Sequence, residues 1–298
     1  MTRFYADERK IIILGATGLL GNAVFRVLSE YENLRVFGSV RTNADRKFFS
    51  SILSKHLILV RDLTDYNELK RLLEFVQPHI VVNCVATSRQ VNVDFDILTA
   101  IYSTLPQQLA HLCQKSGIRL IHISSDGVFS GSRGSYREED FADANDAYGV
   151  VKLSGEVYGS GSITLRTSII GPELAGRAGI LEWFLSQNDH CRGYTRAIFT
   201  GLPTVVLARL IRDIIIPRND LSGIFHVASA PISKFNLLEM IAKRYDKTIK
   251  LIPDDSVIID RSLLAAKFFA ATGYLAPSWP EMIDTMYSYS YGLAKNDI

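Results

Sequence analysis

Tyr148 and Lys152 stand four residues apart in AYGVVK, a stretch that reads as the opening of a helix. That spacing puts both side chains on one helix face, within reach of one small molecule. A free phenol titrates near pH ~10, a poor match to acid–base work at neutral pH. A neighbouring ammonium favours the phenolate and lowers that value, so the pair is chemically suited to moving a proton. Taken alone, it is better explained as a solvated helix face. The rest of the chain has to decide.

Residues elsewhere favour the chemical reading. GATGLLG places Gly15, Gly18 and Gly21 between a β-branched run and a helical pattern. In a dinucleotide site the first glycine permits a tight turn, the second a close pyrophosphate, and the third helix–strand packing. The helix N-terminus then offers free N–H groups to phosphate charge. Thr17, Leu19 and Leu20 belong to the same candidate loop. Farther on, VFGSVRTN lacks the Asp or Glu expected roughly 20 residues after the first glycine to bind the ribose hydroxyls. Arg41 stands nearby, and a guanidinium suits a 2′-phosphate. Asp62 and Leu63 follow a third apolar run, where a carboxylate can accept from an adenine amino group; Asp65 reads as a helix cap. Ala86, Thr87 and Ser88 are small enough to leave room for a flat ring. Ile123 and Ser125 close the run IRLIHISS, and Ser125 precedes Tyr148 by some 20 residues.

These residues work together only on a scaffold that gathers strand ends. KIIILG, NLRVFGSV, LILVRD, HIVVNCVA, IRLIHISS and GSITLRTSII read as strands. LLGNAVFRVLSEY, DYNELKRLLEFVQ and a longer stretch from Asp94 to Ser116 read as helices. Buried strands alternating with amphipathic helices predict an α/β fold, a Rossmann-like doubly wound parallel sheet covered on both faces. Ligands bind such sheets outside the carboxyl ends of the strands. The pattern divides into a dinucleotide-binding part, residues 1–170, and a smaller C-terminal part, residues 171–298. The latter, mainly substrate-binding, returns at least one strand, GIFHVAS, to the sheet.

Composition narrows the class. The chain has 298 residues, 47% hydrophobic and 21% charged, as in an ordinary globular enzyme. A formal net charge of +2 without a Lys/Arg run gives no reason to expect a nucleic-acid partner. Cys84, Cys113 and Cys191 are scattered without a CxxC pair, so neither a disulfide framework nor a metal site is expected. The charged N-terminus is unlike a signal peptide, and no apolar run nears the ~18 residues of a membrane span. A cytoplasmic protein without a membrane partner is expected.

GATGLLG, Ser125 and the Tyr148-x-x-x-Lys152 pair resemble the extended short-chain dehydrogenase/reductases in order and spacing. DLTDYNELKRLLEFVQPHIVVNCVA, LAHLCQKSGIRLIHISSDGVFSG, YREED, YGVVKLSGE, LRTSIIG and GLPT resemble the dTDP-4-dehydrorhamnose reductase branch and its sugar-nucleotide relatives. The resemblance implies NADPH, with NADH as the alternative, and a nucleotide-sugar substrate reduced at its 4-keto group for surface polysaccharide synthesis. A homodimer is compatible with it. Tyr148 would donate a proton to the carbonyl oxygen as a nicotinamide delivers hydride. Lys152 would hold the cofactor ribose, and Ser125 would hydrogen-bond the substrate oxygen. Thr87, Ser88, Val128, Phe129, Tyr194 and Arg196 are the candidate substrate contacts.

Three departures from the family pattern limit what the resemblance implies, the first two on the sugar side and the third at the proton relay behind the lysine. Gly127 and Ile169 replace aromatic residues, and Tyr102 with Ser103 stands where an asparagine is common. The first two changes keep a UDP-linked 2-acetamido-4-keto-6-deoxyhexose open as the alternative substrate. A non-catalytic regulatory subunit of the same fold is the alternative from another class.

Overall fold

A computed structural model describes residues 9–87, 94–159 and 161–296. Its core begins with β1 (Arg9–Leu14), whose apolar residues serve both faces of a sheet. Ile11 and Ile13 enter one hydrophobic cluster, Ile12 and Leu14 the other, and all four are fully buried. This follows from the two-residue period of a strand covered on both sides.

After β1 come α1 (Leu19–Ser29), β2 (Leu34–Val40), the short α2 (Ser51–Ser54), β3 (Leu57–Leu59), α3 (Tyr66–Val76) and β4 (Ile80–Asn83). Asp65 caps α3, accepting from the N–H groups of Asn67 and Glu68, as the sequence suggests. The helix expected from Asp94 to Ser116 consists of α4 (Phe95–Thr99), a π-helical segment (Ala100–Thr104) and α5 (Leu105–Ser116). It stops at Gly117, whose φ of 66° suits a left-handed cap. Then follow β5 (Arg119–Ile123), α6 (Ala147–Ser154) and β6 (Ser162–Arg166).

The second part is more broken. It comprises β7 (Ile169–Ile170), α7 (Ile180–Leu185), β8 (His190–Tyr194), β9 (Ala197–Phe199), β10 (Leu202–Pro203), α8 (Thr204–Leu210) and β11 (Gly223–His226). Then come β12 (Ile232–Ser233), α9 (Lys234–Arg244), β13 (Lys250–Asp254), β14 (Ile259–Asp260), α10 (Ala266–Thr272) and α11 (Trp279–Asn296). β11 returns to the main sheet, which runs β11-β6-β5-β4-β1-β2-β3 with every pairing parallel. The other strands form small sheets of two or three.

Strand order reverses between β1 and β4, so the crevice opens at their carboxyl ends. One core cluster joins Val24 and Leu28 of α1, Val205 and Leu207 of α8 and Met282 of α11, so residues from both parts of the chain share it. No helix among the described residues is long and apolar enough to cross a membrane.

Candidate active site

The turn after β1 lies in the crevice. Gly15 has φ 77°, and a Cβ there would press on the backbone of Val85, 3.2 Å from its Cα. A Cβ at Gly21 would overlap the carbonyl of Gly15, so the helix can approach this turn only without a side chain. Gly18 is the N-cap of α1 and has no side chain to cap it; the first turn carries no acidic residue. Thr17, Leu19 and Leu20 therefore flank a positively polarised helix end that no side chain caps. Ser39 accepts the N–H of Gly15 at 2.9 Å, binding the end of β2 to this loop. The glycine cradle and open helix end fit a dinucleotide.

The neighbouring strand ends vary in what they offer. Arg41 is exposed just beyond β2. Asp62 is exposed, and its Oδ1 accepts from the N–H and hydroxyl of Thr64 at 2.8 and 2.6 Å, so part of that carboxylate shapes its own turn. Leu63 packs against the second core cluster. Ala86 is exposed after β4, and Thr87 is half-buried. Ser88 lies outside the described residues.

Lys152 is 4% exposed, and its Nζ donates to the carbonyl of Ile123 at 2.7 Å. Tyr148, half-buried one turn earlier, shares this face of α6. The turn Asp126–Val128 fits directly under the start of α6, because a Cβ at Gly149 would overlap the carbonyl of Gly127. Ser125 opens that turn. Its Oγ accepts from Gly127 N at 3.0 Å and donates to Asp126 Oδ1 at 3.2 Å. The end of β5 thus carries Ser125 to the foot of the Tyr/Lys helix.

Buried groups near the ammonium are neutral. Burial pushes the Cys84 thiol up to about 12, against the opposing pull of Lys152. Burial, helped by the Lys152 charge, holds His122 well below the ordinary imidazole range. Nearby polar strand ends are fixed by a network that sequence reading did not identify. Arg166 donates through Nε and Nη2 to Glu156, both at 2.8 Å, and Ser124 donates to Glu156 Oε1 at 2.7 Å. The only signals were the glutamate ending YGVVKLSGE and the arginine in LRTSIIG.

The expected substrate side is only partly assembled. Val128 and Phe129 do not present side chains to a crevice: both are fully buried with Tyr136 and Leu263. Phe129 stacks on Tyr136 with centroids 4.2 Å apart, and the Arg166 guanidinium lies 5.2 Å from its ring. Apolar side chains following a buried strand have joined the core because it excludes water from them. Ile169 likewise packs against the main core cluster. Tyr194 and Arg196 are exposed at and just beyond the end of β8.

A parallel sheet in this order, a glycine-rich turn at its crevice and a Tyr/Lys helix beside Ser125 define an extended short-chain dehydrogenase/reductase fold. The RmlD substrate binding domain family model matches residues 9–257, and the chain belongs to that family. The chain is 34% identical over 151 residues to bovine "Methionine adenosyltransferase 2 subunit beta", covering 50% of this chain and 42% of the bovine one. It thus spans well under half the length of that relative. It is 29% identical over 269 residues to the Haloferax volcanii "Probable low-salt glycan biosynthesis reductase Agl14", covering 85% and 83% of the two chains. Among solved structures, Bacillus anthracis dTDP-4-dehydrorhamnose reductase in complex with NADP superposes with TM-score 0.78 at 20% identity. That match covers 95% of this chain and 99% of the other.

Proposed function

We propose that the protein is an NADPH-dependent reductase of the 4-keto group of a nucleotide-linked 6-deoxyhexose, acting in surface polysaccharide synthesis. The observation that carries this reading is the anchoring of Lys152 to the end of β5, beside Tyr148 and the turn opened by Ser125. A nicotinamide bound along the crevice would supply hydride. Tyr148 gives its phenolic proton to the carbonyl oxygen as negative charge develops there. Lys152 stabilises the phenolate left behind and positions the cofactor ribose. Ser125 turns its hydroxyl from the local cap to the substrate oxygen. Gly15, Thr17, Gly18, Leu19, Leu20 and Gly21 hold the diphosphate, with Arg41 placed to meet a 2′-phosphate.

The test incubates the protein and NADPH with dTDP-4-dehydrorhamnose and, separately, a UDP-linked 2-acetamido-4-keto-6-deoxyhexose. Mass spectrometry then follows a gain of two hydrogens in the sugar. Reduction of either sugar supports the reading and identifies the better one by kcat/KM. Cofactor left unoxidised with both would sink it.

The similarity to the methionine adenosyltransferase subunit favours one further reading, a regulatory role on the same scaffold. Such a role does not require Ser125, Tyr148 and Lys152 together, and this chain has all three. Activation of a methionine adenosyltransferase without sugar reduction would select that alternative.

A further inference from the structure

Tyr102 sits in the π-helical segment Ala100–Thr104. Pro106 follows that segment. It has no N–H with which to bond the Tyr102 carbonyl, and Leu105 N–H reaches back to Ala100 O instead. The Tyr102 carbonyl faces α6 so closely that a Cβ at Gly155 would overlap it.

The Tyr102 side chain is 1% exposed, and its two ends do different things. Its ring meets the Tyr148 ring edge-on, centroids 5.1 Å apart. Lys152 Nζ stands 4.9 Å from the centroid of the same ring. The Tyr102 hydroxyl accepts from Thr87 N at 2.6 Å and donates to Thr87 O at 2.9 Å.

We propose that Tyr102 is a positioning residue: its ring fixes the Lys152 ammonium beside the Tyr148 phenol, and its hydroxyl ties that pair to Thr87 in the loop after β4. The inference rests on the function proposed above. The groups around Lys152 include Tyr148 on its own helix, Tyr102 from the π segment, His122 and the Ile123 carbonyl from β5, and Cys84 after β4. Neither His122 nor Cys84 carries charge near neutrality. The Tyr102 ring face attracts this desolvated cation, since cation–π contacts strengthen away from water. Loss of the ring loosens the ammonium, and Tyr148 then holds its proton to higher pH.

The test separates the two ends. Tyr102→Phe keeps the ring and removes the hydroxyl; Tyr102→Leu removes both, with Tyr102→Met as the second ring-free variant should the leucine protein not fold. Tyrosine labelled with carbon-13 at Cζ is titrated by NMR in the cofactor-free protein, and Tyr148→Phe assigns the signal. The Tyr148 midpoint is expected to rise by about half a pH unit or more in the ring-free variant and to stay in place in Tyr102→Phe. In turnover, Tyr102→Phe should raise KM with kcat within about twofold of wild type, whereas the ring-free variant loses kcat by about tenfold or more. An unmoved Tyr148 midpoint in a folded ring-free variant, or equal kcat losses in the two kinds of variant, would overturn the proposal. The titration requires no substrate, so a wild-type protein that reduces no sugar counts against the proposed function and leaves this result readable.

Discussion

Arg261, just past β14, donates through Nη2 to Asp146 Oδ2 at 3.0 Å, while the other oxygen of Asp146 accepts from Gly149 N at 2.7 Å and caps α6. One carboxylate thus joins the second part of the chain to the helix that carries Tyr148 and Lys152. Cap and ion pair differ in expected weight. Loss of an N-cap costs about 1 kcal/mol, whereas a partly exposed ion pair is worth less than that.

Asp146→Ala should therefore destabilise the protein by about 1–2 kcal/mol and lower turnover several-fold, because the first turn of α6 frays around Tyr148. Asp146→Asn keeps a capping oxygen and should stay close to wild type. Urea denaturation and kcat of the two variants give the comparison. Equal losses would move the weight from the cap to the Arg261 pair.

Cofactor choice tests the exposed guanidinium after β2. Arg41→Ala should weaken NADPH binding by about tenfold to a hundredfold, the value of one charge-assisted hydrogen bond, and NADH binding much less. Fluorescence titration with both cofactors measures the ratio. Equal losses would remove Arg41 from phosphate recognition.

Stability should fall with acidification. Burial, with the Arg166 charge adding to it, lowers His226 to about 3. The folded protein keeps this imidazole neutral while the unfolded chain protonates it near pH ~6.5. Below that pH the unfolded state binds more protons, so stability present above it is lost progressively down to the folded value. The cost for His226 at pH 5 is about 2 kcal/mol relative to neutrality, and buried His122 acts in the same direction. Thermal unfolding against pH checks this, with His226→Asn expected to flatten the slope. An unchanged slope in that variant would assign the acid sensitivity elsewhere.

Much of this arrangement was legible in the sequence. Ile11 to Leu14 announce a strand buried on both faces, and glycines at 15, 18 and 21 announce the turn after it. The Tyr148/Lys152 spacing is itself the geometry of α6. Other features left weaker traces. The π segment escapes because periodicity through Leu105, Leu109 and Leu112 continues beyond it, although Pro106 marks the place. Glu156 and Arg166 stand ten residues apart with no pattern that announces their pairing in the interior. Val128 and Phe129 follow a strand end, where sequence position cannot distinguish a crevice wall from a small core. Strands as short as Ile169–Ile170 and Leu202–Pro203 contain too few residues to display a two-residue period.

Isotope transfer tests the central claim most directly. The protein is mixed with a 4-keto-6-deoxy sugar nucleotide and NADPH carrying deuterium on the transferable nicotinamide position, and the product hexose is read by NMR. Deuterium at sugar C4 is expected in wild type, with the rate reduced by about two orders of magnitude or more in Tyr148→Phe and cofactor affinity largely preserved. A hexose that gains no deuterium, or Tyr148→Phe turning over at the wild-type rate, would contradict the account.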